Sequence, residues 1–90
     1  MSGVIVDGDG LGTLEDNDIT GNTWDGVTIG SGGNPTVRGN RINRNSHSAV
    51  RAYYAGRGVV EDNDLTGNEQ GAWLIEESRQ TNVTRARNRE

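Results

Sequence analysis

The eight residues EDNDITGN, Glu15 to Asn22, return almost unchanged as EDNDLTGN, Glu61 to Asn68. Halfway between them Arg38 to Asn45 reads RGNRINRN, with the same Asn, Ile and Asn in place. The spacing is 23 residues both times, as Asn17, Asn40, Asn63 and as Asn22, Asn45, Asn68. A fixed period in this range predicts a solenoid, in which each repeat is one layer that buries its apolar side against its neighbours. Composition agrees. Only 30% of the residues are apolar and there is no Phe, so a core needs each aliphatic side chain to pack on its copy above and below. The 14 Gly and the many Asn suit tight turns.

Folding the sequence at 23 gives columns. Val4, Val27, Val50 and Trp73 share one; Val6, Ile29, Ala52 and Ile75 lie two places on. This alternation predicts a strand with those side chains inward and Ile5, Thr28, Arg51 and Leu74 outward. The first strands are then about Gly3–Val6, Gly26–Ile29, Ala49–Ala52 and Ala72–Ile75. Gly10, Gly33 and Gly56 share a turn column, where a positive φ is expected. The fourth layer has Arg79 there, so its turn is expected to differ. Pro35, beside Gly12 and Gly58, is placed where the next strand is about to begin. Leu14, Val37, Val60 and Val83 form the apolar column of a second strand. Asn17, Asn40 and Asn63 follow at a corner before Ile19, Ile42 and Leu65, and Asn22, Asn45 and Asn68 mark the last corner. Asn tolerates the left-handed conformation, and stacked carboxamides can bond one another up the column.

The charges support the same register. Glu15, Arg38 and Glu61 alternate in sign, as do Asp18, Arg41, Asp64 and Arg87, while Gly39 separates Asp16 from Asp62. Layers about 4.8 Å apart give each carboxylate an Arg neighbour. Exposed pairs add little stability, but a one-layer slip would stack like charges. At the C-terminal end the period fails: Ala86 takes the ladder position and Asn88 that of Ile19. The tail RARNRE reads as a polar cap, and Trp73 as the side chain that closes the core. Met1 and Ser2 lead straight into the first strand, which leaves that edge open.

Three corners per layer, Asn ladders and the pattern xVxxNxIxxNxxxGVxI together resemble right-handed parallel β-helices of the pectate-lyase-like class. The likeness is closer to bacterial, especially actinobacterial, β-helix repeat proteins, whose layers read much like GGNPTVRGNRINRN and GRGVVEDNDLTGN and whose last repeat often ends like VTRARNRE. The resemblance implies an all-β, right-handed parallel β-helix of about four coils, three short strands in each, at approximately 3–25, 26–48, 49–71 and 72–90. It leaves function open, because this superfold hosts lyases, hydrolases, epimerases, spikes and binding modules. Members usually have more layers, so the chain is also read as a terminal piece or as an engineered repeat without native activity.

Several chemistries are weighed against plainer readings. A net charge of −4, with all nine basic residues Arg, argues against a nucleic-acid partner. The absence of Lys excludes Schiff-base chemistry. No Cys is present for disulfides or thiolate metal sites, and no apolar run is long enough for a bilayer. A soluble chain is expected, with no visible targeting signal and a cytoplasmic location favoured. Lyases of this fold use carboxylate-bound calcium and an Arg or Lys base; Asp7, Asp9, Asp25 and Arg51 lie suitably near the first strand, yet DGDG is good turn chemistry by itself. The acidic runs at Glu15 and Glu61 are repeated, whereas a catalytic site in a stack is normally unique. His47, the one His, reads as an exposed turn residue, with no orienting group for a nucleophile–base pair and no partners for a metal. Asp7 to Glu15 fails as a calcium loop, since Leu11 takes a ligand position. The sequon at Asn82 is treated as chance.

The candidate surface is therefore a binding one: Ile5, Trp24, Thr28, Arg51, Tyr53, Tyr54 and Leu74, aromatic and apolar residues beside an Arg on a flat ladder. The expected function is a non-enzymatic structural or interaction module. It needs no cofactor or metal, and binds a protein partner or itself, a dimer being favoured, through this face and the open N-terminal coil. Binding or processing of an acidic polysaccharide is the alternative.

Overall fold

The computed structural model describes residues 2–76 and 81–90. Its strands are short, parallel and stacked. The first sheet holds β1 (Val4–Val6), β4 (Val27–Ile29), β7 (Val50–Ala52) and β9 (Trp73–Ile75) in that order. The second holds β2 (Leu11–Glu15), β5 (Asn34–Arg38), β8 (Arg57–Glu61) and β10 (Asn82–Ala86). The third is a pair, β3 (Asp18–Thr20) and β6 (Arg41–Asn43), continued upward by single bridges from Arg41 to Asp64 and from Asp64 to Arg89. Among the described residues the third face is thus a strand pair in two coils and a single bridge in the other two.

Across the first three coils the register is 23: Val4 pairs with Val27, Val27 with Val50, Leu14 with Val37 and Val37 with Val60. The inward columns form one continuous core in which Val27, Ile29, Val37, Ile42, Val50 and Val60 are fully buried. Aliphatic side chains at one level rest on their copies at the next, and this is how so few of them suffice.

The polar columns tie the layers together. The Asn40 backbone N–H and Nδ2 donate to Asn63 Oδ1 at 2.8 and 3.1 Å, and Asn63 Nδ2 donates to the Val37 carbonyl at 3.0 Å. Asn17 bonds to Asn40, Asn22 to Asn45 and Asn45 to Asn68 in the same way. Each buried carboxamide therefore finds partners in the layers on both sides. Outside, Arg38 lies 2.7 Å from Glu15 and 3.7 Å from Glu61, and Arg41 donates to Asp18.

Four expectations need correction. First, the fourth coil is longer by two residues. Trp73–Ile75 keeps the 23-residue register, but Asn82 pairs with Arg57 and Arg85 with Val60, a spacing of 25. Val83 accordingly opposes Gly58, not Val60. The first ladder does not stop at Ala86 but continues in Asn88, whose Oδ1 accepts from Asn63 N–H and Nδ2 at 3.1 and 3.0 Å. Arg87 falls beside Asp62, 2.8 Å away, and Arg89 opposite Asp64.

Second, Gly10, Gly33 and Gly56 do not have positive φ. The left-handed pairs lie just before them: Gly8–Asp9, Ser31–Gly32 and Tyr54–Ala55. Each pair is closed by a bond from the following Gly N–H to the residue before it, such as Gly56 N–H to the Tyr53 carbonyl at 3.0 Å, the pattern of a type I′ turn. Glycine is required in the column because a Cβ on Gly33 or Gly56 would come within 2.5 Å of the carbonyl oxygen of Val6 or Ile29. Third, Pro35 is the second residue of β5 and is fully buried; the β5–β8 pairing starts only after it, at Thr36. Fourth, Thr28 is covered, as described below. Arg79 lies outside the described residues.

Candidate functional site

β1, β4 and β7 turn Ile5, Thr28 and Arg51 outward, and Trp24 and Tyr53 stand at opposite ends of these short strands. Together with Ser2 and Asp7 they line a shallow cleft of about 340 Å³. Trp24 forms one wall, stacked on His47 with ring centroids 4.1 Å apart. Tyr53 forms the other, with Tyr54 edge-on to it at 5.0 Å and the Arg51 guanidinium 4.7 Å from its ring centre. Five of the seven residues marked in the sequence meet here. Tyr54 is exposed behind Tyr53, and Leu74, also exposed, lies one strand away on β9 opposite Arg51.

The floor is polar. Thr28 is outward by alternation but only 5% exposed. Its hydroxyl donates to Asp25 Oδ2 at 3.2 Å, and Ser2 Oγ lies 2.6 Å away. Since the one Thr28 proton goes to the carboxylate, Ser2 is the donor of that short bond. Asp25 is fully buried; its other oxygen accepts the Ser48 N–H at 3.2 Å, and Arg51 Nη1 stands 3.9 Å from Oδ2. The guanidinium is thus held between a buried carboxylate and a ring, with about a third of its side chain still exposed. Asp25 is more than a charge near the first strand: it anchors two layers. His47 is half-buried against Trp24 rather than a free turn residue. The shared column of Trp24 and His47 was the available signal for this contact.

The turn that presents Tyr53 and Tyr54 differs from its counterparts. Its left-handed pair, Tyr54 at φ 47° and Ala55 at φ 64°, contains no Gly, whereas the pairs in the two preceding coils each contain one. Two such residues cost on the order of 1–3 kcal/mol each, a cost also borne by Asp16, Arg44, Asp62 and Arg87 at the repeated corners. Elsewhere the titrating groups are held by their partners. The Arg41 hydrogen bond lowers the Asp18 pKa, the Arg87 hydrogen bond lowers that of Asp62, and the Thr66 hydroxyl and backbone lower that of Asp64. Among the described residues no group of three or more His, Cys, Asp or Glu is placed to hold a metal ion.

This geometry has a family. The right handed beta helix region matches residues 1–89, and the chain belongs to that family. Comparison with curated proteins and with solved structures finds no match to either.

Proposed function

We propose that the chain is a non-enzymatic interaction module whose ligand docks on the outer face of the first sheet. The observation that carries this reading is the cleft between Trp24 and Tyr53, with a pre-positioned Arg51 on its floor. A flat aromatic wall at each end and a cation between them suit a ring or chain that carries an acid group. Binding meets a guanidinium already ordered, which lowers the entropic cost. Catalysis is less well served. Glycoside hydrolysis needs two facing carboxylates, and Asp7 is the one carboxylate among the residues that line the cleft. Asp25, the carboxylate nearest Arg51, is engaged by Ser48 and Thr28.

Two occupants fit this chemistry. One is a protein segment with an Asp or Glu beside an apolar side chain. The other, favoured by the two rings and the small cleft volume, is an acidic saccharide. Calorimetric titration with neutral and uronate oligosaccharides and with acidic peptides separates them. Binding by one acidic class, abolished in Arg51→Ala and weakened in Tyr53→Ala, is the expected result. Equal binding by neutral ligands, or binding indifferent to both substitutions, would remove the cleft from the account. Product release from uronate polymers would make the chain an enzyme and overturn the reading.

A further inference from the structure

The two near-identical segments, 15–22 and 61–68, see different neighbours on their N-terminal side. Above 38–45 lies the second copy. There Asn40 and Asn45 donate into the Oδ1 atoms of Asn63 and Asn68, and Arg38 approaches Glu61. With that cover, Asn63 is 3% and Leu65 1% exposed. The first copy presents the same atoms to an open depression of about 350 Å³, lined in part by Val4, Leu14, Asn17, Asp18, Ile19 and Asn22. Asn17 and Asp18 are exposed and Leu14 half-buried, while Ile19, the counterpart of Leu65, stays 6% exposed. Charge alternates by layer: residues 3–25 hold six carboxylates and no Arg, and residues 26–48 hold three Arg and no carboxylate.

We propose that the N-terminal face of the first coil is a docking surface for a parallel β-layer of a partner chain, one with Arg over Glu15 and Asp18 and Asn over Asn17 and Asn22. The internal repeat supplies the template, since 34–45 covers an almost identical surface inside this molecule. Ladder polarity sets the orientation: the incoming Asn donates to Asn17 and Asn22 Oδ1, as Asn40 does to Asn63. A second copy fits less well. Two first coils face to face oppose carboxylates. The last coil offers Arg87 and Arg89 in the columns of Asp16 and Asp18, but it also places Arg85 in the column of Leu14, Val37 and Val60, where docking would bury that charge on Leu14.

The test is an NMR titration of the labelled chain with a synthetic peptide of residues 26–48 and with its analogue in which Arg38, Arg41 and Arg44 are Glu. The native peptide should shift the Asn17 and Asn22 side-chain amides and the Leu14 and Ile19 methyls. The Glu analogue should bind at least about tenfold more weakly, and added salt should weaken the native peptide. Asp16→Arg, at a left-handed position whose conformation Arg44 and Arg87 also adopt, should weaken the native peptide while keeping the direct Arg41–Asp18 pair, to which Asp16 adds only a through-space attraction for Arg41. Equal response to both peptides, shifts confined to the cleft or the last coil, or no shift at these residues would overturn the proposal. So would concentration-dependent shifts there without peptide, which would make a second copy the occupant.

Discussion

At the C-terminal end the repeat lengthens from 23 to 25 residues, and Arg85 enters the column that Val60 occupies one layer below, its guanidinium 5.3 Å over the Trp73 ring. In the first coil the same column holds Leu14, half-buried at the rim of an open depression. Both ends expose a parallel edge and both carry a ladder Asn. One is closed by a charge that cannot be covered without desolvation; the other shows the next layer an apolar, hydrogen-bonding surface. The difference teaches that one substitution in a core column, Arg85 in place of an aliphatic residue, changes what a layer offers to any layer stacked on it.

The largest contrast should appear in the core. Ile42→Ala, in the middle of the stack, is expected to cost about 2–5 kcal/mol in chemical denaturation, against about 1 kcal/mol or less for Leu14→Ala at the open rim. Equal costs would mean that the two positions share one environment. The ladder should follow the same order. Asn63→Ala strands the Asn40 N–H and the Val37 carbonyl and should cost about 1–3 kcal/mol, whereas Asn17→Ala should cost less than about 1 kcal/mol.

Arg85→Leu turns the closed end into one that resembles the interior, with Arg87 and Arg89 still facing the columns of Asp16 and Asp18. Sedimentation should show association that grows with concentration in this variant and exceeds that of the unmodified chain. Identical sedimentation of the two would remove Arg85 as the closing residue. The smallest effect is electrostatic. Asp62 and Asp64 have folded-state pKa values below the unfolded ones, so their stabilisation is complete above about pH 4, the unfolded carboxylate range, and is lost as pH falls through the folded values. The unfolding midpoint should fall on acidification below that point, less steeply in Asp62→Asn. A slope unchanged by that substitution would deny the Arg87 pair a role.

Most of the stack was legible because the repeat writes each layer's neighbours into the sequence. Val27 over Val50 and Arg38 between Glu15 and Glu61 needed only the period. The fourth coil was not legible by counting, since two extra residues between Glu76 and Asn82 carry Asn88 into the ladder. The signal lay in the motif rather than the period: Arg87-Asn88-Arg89 is the charge-reversed form of Asp62-Asn63-Asp64. The glycine column is misleading in sequence, because a positive φ and a carbonyl 2.5 Å from a missing Cβ both exclude side chains and look alike there. Alternation put Thr28 outward correctly but could not say that Ser2 and Asp25 would meet its hydroxyl there. The cleft draws residues from three coils, and only the aromatic and Arg members announced themselves.

The register of the last coil is tested most directly by cysteine pairs, since the chain has no Cys of its own. Val59 and Thr84 are opposed at the 25-residue spacing, whereas a continued 23-residue period would oppose Val59 and Asn82. Mild oxidation of Val59→Cys/Thr84→Cys should form an intramolecular disulfide readily, and Val59→Cys/Asn82→Cys should form it poorly, read as loss of free thiol by mass. The reverse preference would contradict the stacking of the fourth coil and the closing role of Arg85.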